Sequence, residues 1–107
     1  MQIAVYGSGY LGTVVSACLA DFGTPVTCYD EDTAKVERLA RGLISHHEKD
    51  LKEMIRRNVR AARLIYSTTL GTFADKADVV VLAEDTPLYA VEAAEKIARV
   101  ADRKSVV

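Results

Sequence analysis

Three glycines at fixed spacing constrain this chain most: Gly7, Gly9 and Gly12 lie between an apolar run and an amphipathic stretch. Residues 2–6 have the composition of a buried parallel strand, and helical spacing begins near Tyr10. A G-x-G-x-x-G turn between a strand and a helix lets the backbone approach a pyrophosphate closely, and the helix N-terminus meets its charge. The spacing therefore predicts a phosphate-binding turn of the dinucleotide-binding kind.

An acidic residue follows at the distance that a bound ribose requires. Residues 26–30 are β-branched and aromatic, which is typical of a second strand, and Asp30 ends it close to the expected spacing of about 20 residues after the glycines. Its carboxylate would accept hydrogen bonds from the ribose hydroxyls and repel a 2′-phosphate, which favours NAD over NADP. The alternatives are a helix N-cap or a solvated loop acid, because Glu31 and Asp32 come next.

Strand-like and helix-like segments alternate along the rest of the chain. The predicted strands are 2–6, 26–30, 64–67 and 78–83, with another beginning at 105–107, and the predicted helices are 10–22, 33–41, 48–58, 70–75 and 88–101. Strands that alternate with helices indicate a parallel sheet with right-handed crossovers. We therefore expect one domain over residues 1–107: an α/β fold with a Rossmann-type doubly wound parallel sheet in three α/β/α layers.

The predicted helices carry apolar residues on one side, which we expect to face the sheet. In the first helix these residues are Leu11, Val14, Val15, Cys18, Leu19 and Phe22. In the second they are Val36, Leu39 and Ala40, and Gly42 is expected to end this helix. In the third they are Leu51, Met54, Ile55 and Val59, and Ser45 and Glu48 are expected to form a capping box before it. The only cysteines, Cys18 and Cys28, are interpreted as small core residues in a reducing, cytoplasmic setting.

Charge and hydropathy argue against two classes of partner. The formal net charge is −1, with basic residues spread along the chain, so we expect no electrostatic nucleic-acid surface. No apolar run approaches the roughly 20 residues of a membrane span, so we expect no membrane partner. His46 and His47 beside Glu48 are interpreted as exposed residues before a helix, because adjacent residues rarely aim at one metal ion. No residue is predicted to be catalytic or to bind a metal.

Two further residues are candidates for cofactor contact by their position. Lys35 lies one turn into the second helix, where it either reaches the adenosine end of the cofactor or is an ordinary surface lysine. Thr86 and Pro87 follow the strand 78–83, at the carboxyl edge where ligands bind in parallel sheets. The Thr86 hydroxyl would bond a cofactor ribose or phosphate, cap the next helix, or do both.

Several of these segments together resemble one family. The string from Met1 to Gly12 is similar to the I-A-V-x-G-x-G-Y-V-G opening of the UDP-glucose/GDP-mannose dehydrogenases. Asp30 and Lys35 resemble that family's D-x-x-x-x-K pattern. Residues 48–51 occupy the place of its E-P-G-L segment, and residues 84–87 occupy the place of its V-G-T-P or V-N-T-P segment. The departures are Lys49-Asp50 for Pro-Gly and Glu84-Asp85 for the small pair. The resemblance implies cofactor contacts from Gly7, Ser8, Gly9, Tyr10, Leu11, Gly12, Asp30, Lys35 and Thr86.

The resemblance also implies an activity. Such enzymes oxidise the C6 hydroxyl of a nucleotide sugar to a carboxylate in two NAD-dependent steps, with a catalytic cysteine and lysine in later segments. We expect this chain to be the front part of the cofactor domain of a longer cytoplasmic enzyme, which meets its nucleotide sugar through other domains and forms a homodimer. Two alternatives stay open: a stand-alone NAD-binding regulatory module like those that gate potassium transport, and a degenerate domain that binds nothing. The inserted helix 48–58 favours the dehydrogenase. The short length of the chain favours the regulatory module, and the acidic pair Glu84-Asp85 favours the degenerate domain.

The acidic residue generates the first prediction. Titration calorimetry should show weak binding of NAD, because residues beyond these 107 complete such sites, and weaker binding still of NADP, because Asp30 repels a 2′-phosphate. Tighter binding of NADP than of NAD would contradict the role assigned to Asp30.

Overall fold

Strands and helices alternate in the computed structural model, which describes residues 1–44, 49–69, 77–83, 91–92, 94–95 and 105–106. The elements are β1 (Ile3–Tyr6), α1 (Tyr10–Asp21), β2 (Val26–Tyr29), α2 (Thr33–Ala40), α3 (Lys49–Arg60), β3 (Leu64–Ser67), β4 (Val79–Leu82) and β5 (Ser105–Val106). Residues 91–92 and 94–95 are helical, within the predicted helix 88–101. The capping box of Ser45 and Glu48 and the predicted helix 70–75 lie outside the described residues. None of the helices described is long and apolar enough to cross a membrane.

All five strands run parallel in one sheet, in the order β3-β2-β1-β4-β5. Ile3 of β1 pairs with Val26 of β2 on one side and with Val79 of β4 on the other. The chain thus winds outward in one direction from β1 to β3 and in the other from β4, which confirms the doubly wound α/β prediction. The strand order reverses at β1, and the crevice at the carboxyl ends beside such a reversal is where ligands bind in open sheets.

Both faces of the sheet are buried, as in a sheet between two layers. Val5, Val26 and Leu64 pack on one face in a cluster with residues of α1 and α3. Ala4 and Val80 point to the opposite face and are also fully buried. Adjacent residues of the central strands β1 and β4 are therefore all apolar, which is why these two strands appear in the sequence as continuous apolar runs.

The buried side of α1 differs from the predicted one. Leu11 is 53% exposed and Phe22 is 88% exposed, whereas the fully buried residues of this helix are small: Gly12, Thr13, Ser16, Ala17 and Ala20. Small side chains let the helix axis approach the sheet. The larger Val14, Val15 and Leu19 are partly buried and pack at the side of the cluster that contains Leu51 and Ile55 of α3. Hydrophobicity alone wrongly placed Leu11 and Phe22 on the buried side, because close approach to the sheet favours small residues over large ones.

The other predicted core residues are mostly confirmed. Val36 and Leu39 of α2 are buried, but Ala40 is exposed at the end of that helix. Gly42 has the positive φ of 75° expected of a residue that ends a helix. Cys28 is fully buried in β2, while Cys18 is only half-buried, and both thiols are free.

A buried asparagine joins α3 to the end of α1. The Asn58 side chain is fully buried; its amide nitrogen donates to Asp21 Oδ1 (3.0 Å) and to the Met54 carbonyl (2.8 Å), and its oxygen accepts from Arg63 Nε (2.9 Å). Asp21 also accepts two hydrogen bonds from the Arg57 guanidinium, at 2.8 and 2.9 Å. The hydrogen bonds from Arg57 and then from Asn58 lower the pKa of Asp21 to about 2. The network fixes α1 against α3 and hence the position at which α1 begins.

Replacing Asn58 tests this network. Asn58→Ala leaves buried polar groups without their partners, so we expect the free energy of unfolding to fall by about 2–3 kcal/mol. The matched control is Glu53→Ala, at an exposed position of the same helix, which should change it by less than about 0.5 kcal/mol. Urea denaturation measures both, and equal midpoints would show that the network contributes nothing.

Candidate functional site

The glycine turn connects β1 to α1 at very close range. Gly7 has a φ of 107°, a backbone conformation that glycine adopts without strain, and its N–H donates to the Tyr29 carbonyl at 2.9 Å. A Cβ on Gly12 would lie 1.9 Å from the Gly7 carbonyl oxygen and 3.3 Å from the Ala83 Cβ. Only glycine fits at position 12, because the first turn of α1 rests directly on the end of β1.

The start of α1 has the features of an anion site. Gly9 is the N-cap in an extended conformation; no side chain caps the helix, and the first turn carries no acidic residue. By contrast, α2 begins with Asp32, whose side chain accepts a hydrogen bond from Lys35 N at 3.1 Å. The buried Thr13 fixes the turn from within the helix by donating from Oγ1 to the Ser8 carbonyl at 3.0 Å. The positive end of the helix dipole is thus left for a ligand such as a pyrophosphate.

Asp30 lies beside this turn, directly after β2. Its N–H donates to the Ser67 carbonyl of β3 at 3.2 Å, which continues the sheet pairing. Its carboxylate accepts from Ser8 N (3.1 Å) and Ser8 Oγ (2.5 Å) at Oδ2, and from Asp32 N (2.9 Å) at Oδ1. Asp30 is therefore neither the cap of α2, which is Asp32, nor a solvated loop acid, since its side chain is only 20% exposed.

These contacts keep the carboxylate ionised. Partial burial would raise the pKa of Asp30, but the hydrogen bonds from Ser8 and Asp32 and the charge of Lys35 outweigh it, so the pKa lies below its usual range. Lys35 Nζ is 3.6 Å from Asp30 Oδ2. Lys35 is consequently paired with the acid rather than directed only to solvent.

Two open cavities, each of about 250 Å³, flank this acid and the turn. One is lined by Tyr6, Gly7, Tyr29, Asp30, Glu31 and Asp32, and the ring centroids of Tyr6 and Tyr29 are 4.9 Å apart. The other lies between the start of α1 and α2, and its lining combines Ser8, Lys35 and Arg38 with the apolar Leu39, Leu43 and Ile44. An aromatic and acidic cavity and a second cavity of mixed apolar and basic lining therefore flank the glycine turn.

The structure brings most of the predicted site residues to one place. Gly7, Ser8, Gly9 and Gly12 form the turn, and Asp30 and Lys35 adjoin it. Tyr10 and Leu11 lie half-exposed at the start of α1. Thr86, Glu84-Asp85, His46 and His47 lie outside the described residues. In the described ranges no three His, Cys, Asp or Glu residues are grouped to hold a metal ion.

Sequence reasoning missed three contributors to the site. Thr13 was not singled out, because a threonine in a helical stretch carries no signal that it holds the preceding turn. Asp32 was considered only as a neighbour of Asp30, although a D-x-x pattern before a helix is a recognisable capping signal. Arg38, an exposed residue of α2, lines the cavity between α1 and α2.

The glycine turn connects β1 to α1 at the point where the strand order reverses, and an acid follows the next strand, β2. This arrangement defines a dinucleotide-binding domain of the Rossmann type. The described residues fit such a cofactor, because position 12 has no room for a side chain and α1 begins without a cap. The chain belongs to the UDP-glucose/GDP-mannose dehydrogenase family: its residues 1–107 match the model of that family's NAD binding domain.

Individual relatives agree with this membership. The chain is 39% identical over 87 residues to the UDP-glucose 6-dehydrogenase of Rhizobium meliloti, an alignment that covers 81% of this chain and 20% of that protein. The structure of a UDP-glucose dehydrogenase from the archaeon Pyrobaculum islandicum is 29% identical, with a TM-score of 0.78 over 90% of this chain and 24% of that one. A UDP-D-ManNAc dehydrogenase from Pyrococcus horikoshii, 23% identical, shares the fold with a TM-score of 0.90 over 99% of this chain and 27% of that one. The chain thus spans about one fifth of the length of the first of these relatives.

The close contact at Gly12 gives a direct test of the turn. Gly12→Ala places a Cβ against backbone that cannot move without shifting α1, so we expect the free energy of unfolding to fall by about 3 kcal/mol or more and NAD binding to be lost. The control is Gly23→Ala: that Cβ would meet nothing within 4 Å, so only the strain of its φ of 100° is added, about 1–2 kcal/mol. Urea denaturation measures the free energy of unfolding of both variants, and calorimetry measures their NAD affinity. Equal losses of stability and of affinity in the two variants would refute the close-packing argument.

Proposed function

We propose that this chain is the NAD-binding segment of a nucleotide-sugar 6-dehydrogenase of the UDP-glucose/GDP-mannose type. The parent protein would oxidise the C6 hydroxyl of a nucleotide sugar to a carboxylate, with two NAD reduced to two NADH and one water consumed. The observation that carries this proposal is Asp30, held ionised beside the glycine turn at the reversal point of the sheet. The family match supports the same cofactor.

Each part of the site has a proposed role in holding NAD. The start of α1 with Gly7, Ser8, Gly9, Tyr10, Leu11 and Gly12 would receive the pyrophosphate. Asp30 would accept hydrogen bonds from the adenosine ribose, and Lys35 would approach the adenosine end of the cofactor while neutralising part of the Asp30 charge. The contact of Thr86 with a cofactor ribose or phosphate stays a prediction, because Thr86 lies outside the described residues. When bound, NAD supplies the hydride acceptor for the oxidation.

We assign no catalytic residue to the described part of this chain. Burial raises the pKa of the Cys28 thiol to about 12, so this group is protonated at neutral pH and is no nucleophile. Cys18 is half-buried near the C-terminal end of α1, whereas the glycine turn precedes the N-terminal end of this helix. As the family resemblance implies, a catalytic cysteine and lysine in other segments of the parent protein would perform the chemistry. The nucleotide-sugar substrate, the cytoplasmic location and the homodimer stay predictions.

Replacing the acid tests the proposed function. Asp30→Ala removes a charged acceptor from the ribose, so we expect the NAD dissociation constant to rise about tenfold to a hundredfold while the circular dichroism spectrum is unchanged. The ratio of NADP to NAD affinity should rise as well, because the charge that repels a 2′-phosphate is gone. Calorimetry measures both constants.

The control is Glu37→Ala, which removes one negative charge from an exposed position of α2 and should leave the NAD affinity unchanged. An Asp30→Ala variant that binds NAD as tightly as the unmodified protein would rule out the ribose role.

A further inference from the structure

Ser8 occupies the first variable position of the glycine motif, yet its side chain is buried in the turn. The residue is only 3% exposed. Its hydroxyl and its N–H both donate to the same oxygen of Asp30, Oδ2, at 2.5 and 3.1 Å. Its own carbonyl accepts from Thr13 Oγ1 at 3.0 Å. Ser8 therefore connects the first turn of α1 to the acid that follows β2.

These bonds divide the two oxygens of the Asp30 carboxylate into different environments. Oδ2 meets Ser8 twice and lies 3.6 Å from Lys35 Nζ. Oδ1 accepts from the backbone N–H of Asp32 at 2.9 Å. A carboxylate offers about four acceptor positions on its two oxygens, so Oδ1 keeps capacity for a further donor.

We propose that Ser8 is a positioning residue for the cofactor: its hydroxyl anchors Oδ2 of Asp30, which leaves Oδ1 to accept a hydroxyl of the adenosine ribose. The inference rests on the proposed function, in which Asp30 binds that ribose. It gives the Ser8 side chain a different task from the direct cofactor contact that the family resemblance implies. Without the Ser8 hydroxyl, the Asp30 carboxylate is held by fewer hydrogen bonds. Cofactor binding must then also fix the Asp30 side chain, and the entropy lost in doing so weakens the affinity.

The same bond keeps the acid ionised, which links the proposal to pH. The hydrogen bonds from Ser8 help to hold the pKa of Asp30 below its usual range, against the effect of burial. The titratable groups near this carboxylate are Lys35 of α2, the neighbouring Glu31 and Asp32, and the Cys28 thiol of β2, which burial keeps protonated. Ribose binding needs the ionised form, so the affinity for NAD is lost as the pH falls through the pKa of Asp30. Removing the Ser8 hydroxyl raises that pKa, and the loss then begins at a higher pH.

The first experiment is calorimetry with NAD on the protein and on Ser8→Ala. We expect the dissociation constant to rise about tenfold, because a charge-assisted hydrogen bond is lost. Where Ser8→Ala does not fold by circular dichroism, Ser8→Gly replaces it. The matched control is Ser16→Ala, which removes the hydroxyl of another fully buried serine, one not bonded to Asp30, and should leave the affinity unchanged. An equal loss in both variants would overturn the proposal.

The second experiment repeats the titrations across the acid range. In Ser8→Ala the loss of affinity should begin at a higher pH than in the unmodified protein, whereas in Ser8→Thr, which keeps the hydroxyl, it should begin at the same pH. A structural role alone would not move this profile. Coincident profiles for the unmodified protein and Ser8→Ala, or a shifted profile for Ser8→Thr, would overturn the proposal.

The Asp30→Ala background separates this proposal from the one on which it rests. If Asp30→Ala leaves NAD affinity unchanged, the ribose role itself fails. If Asp30→Ala weakens binding and Ser8→Ala does not, only the positioning role fails. The double variant should bind NAD as Asp30→Ala does, because Ser8 acts through the acid. A further loss in the double variant would mean that Ser8 contacts the cofactor directly.

Discussion

The close contact between the first turn of α1 and the end of β1 is the constraint on which the rest of the site depends. With Gly12 set against the Gly7 carbonyl, α1 begins directly after the turn that follows β1, and its N-terminus has no side-chain cap. The buried face of α1 is made of small residues for the same reason. A bulkier face would move the helix away from the sheet and take the dipole away from the ligand. The small residues that let α1 pack closely on the sheet thus also place its N-terminus where an anion can bind in this fold.

A second set of contacts transmits that position to the acid after β2. Thr13 holds the Ser8 carbonyl, and Ser8 holds one oxygen of Asp30. The glycine turn and Asp30 are therefore positioned by one hydrogen-bonded chain and not by two independent loops. At the opposite end of α1, Asp21 is tied to α3 through Asn58 and Arg57, so the helix is held at both ends.

Membership of the UDP-glucose/GDP-mannose dehydrogenase family accounts for the cofactor of this domain, NAD. The described residues hold groups suited to binding, orienting and charge neutralisation. The buried Cys28 thiol, with its raised pKa, shows that a cysteine near a cofactor turn need not be reactive. Within the site, a serine in a variable position of the glycine motif bonds directly to the acid.

Fold class, strand positions, the glycine turn, the acid after β2 and the third helix could all be predicted from the sequence. These features depend on short-range patterns: continuous apolar runs, glycine spacing and helical periodicity. The small residues at the centre of the buried side of α1 could not be predicted, because a hydrophobic pattern does not reveal how near the helix lies to the sheet. Nor could the hydrogen bonds from Ser8 to Asp30 and from Asn58 to Asp21, since these partners are 22 and 37 residues apart and only folding brings them together. The sequence by itself determined the kind of site and where along the chain it forms; the tertiary structure alone decided which polar side chains hold it in place, because their partners come from different elements.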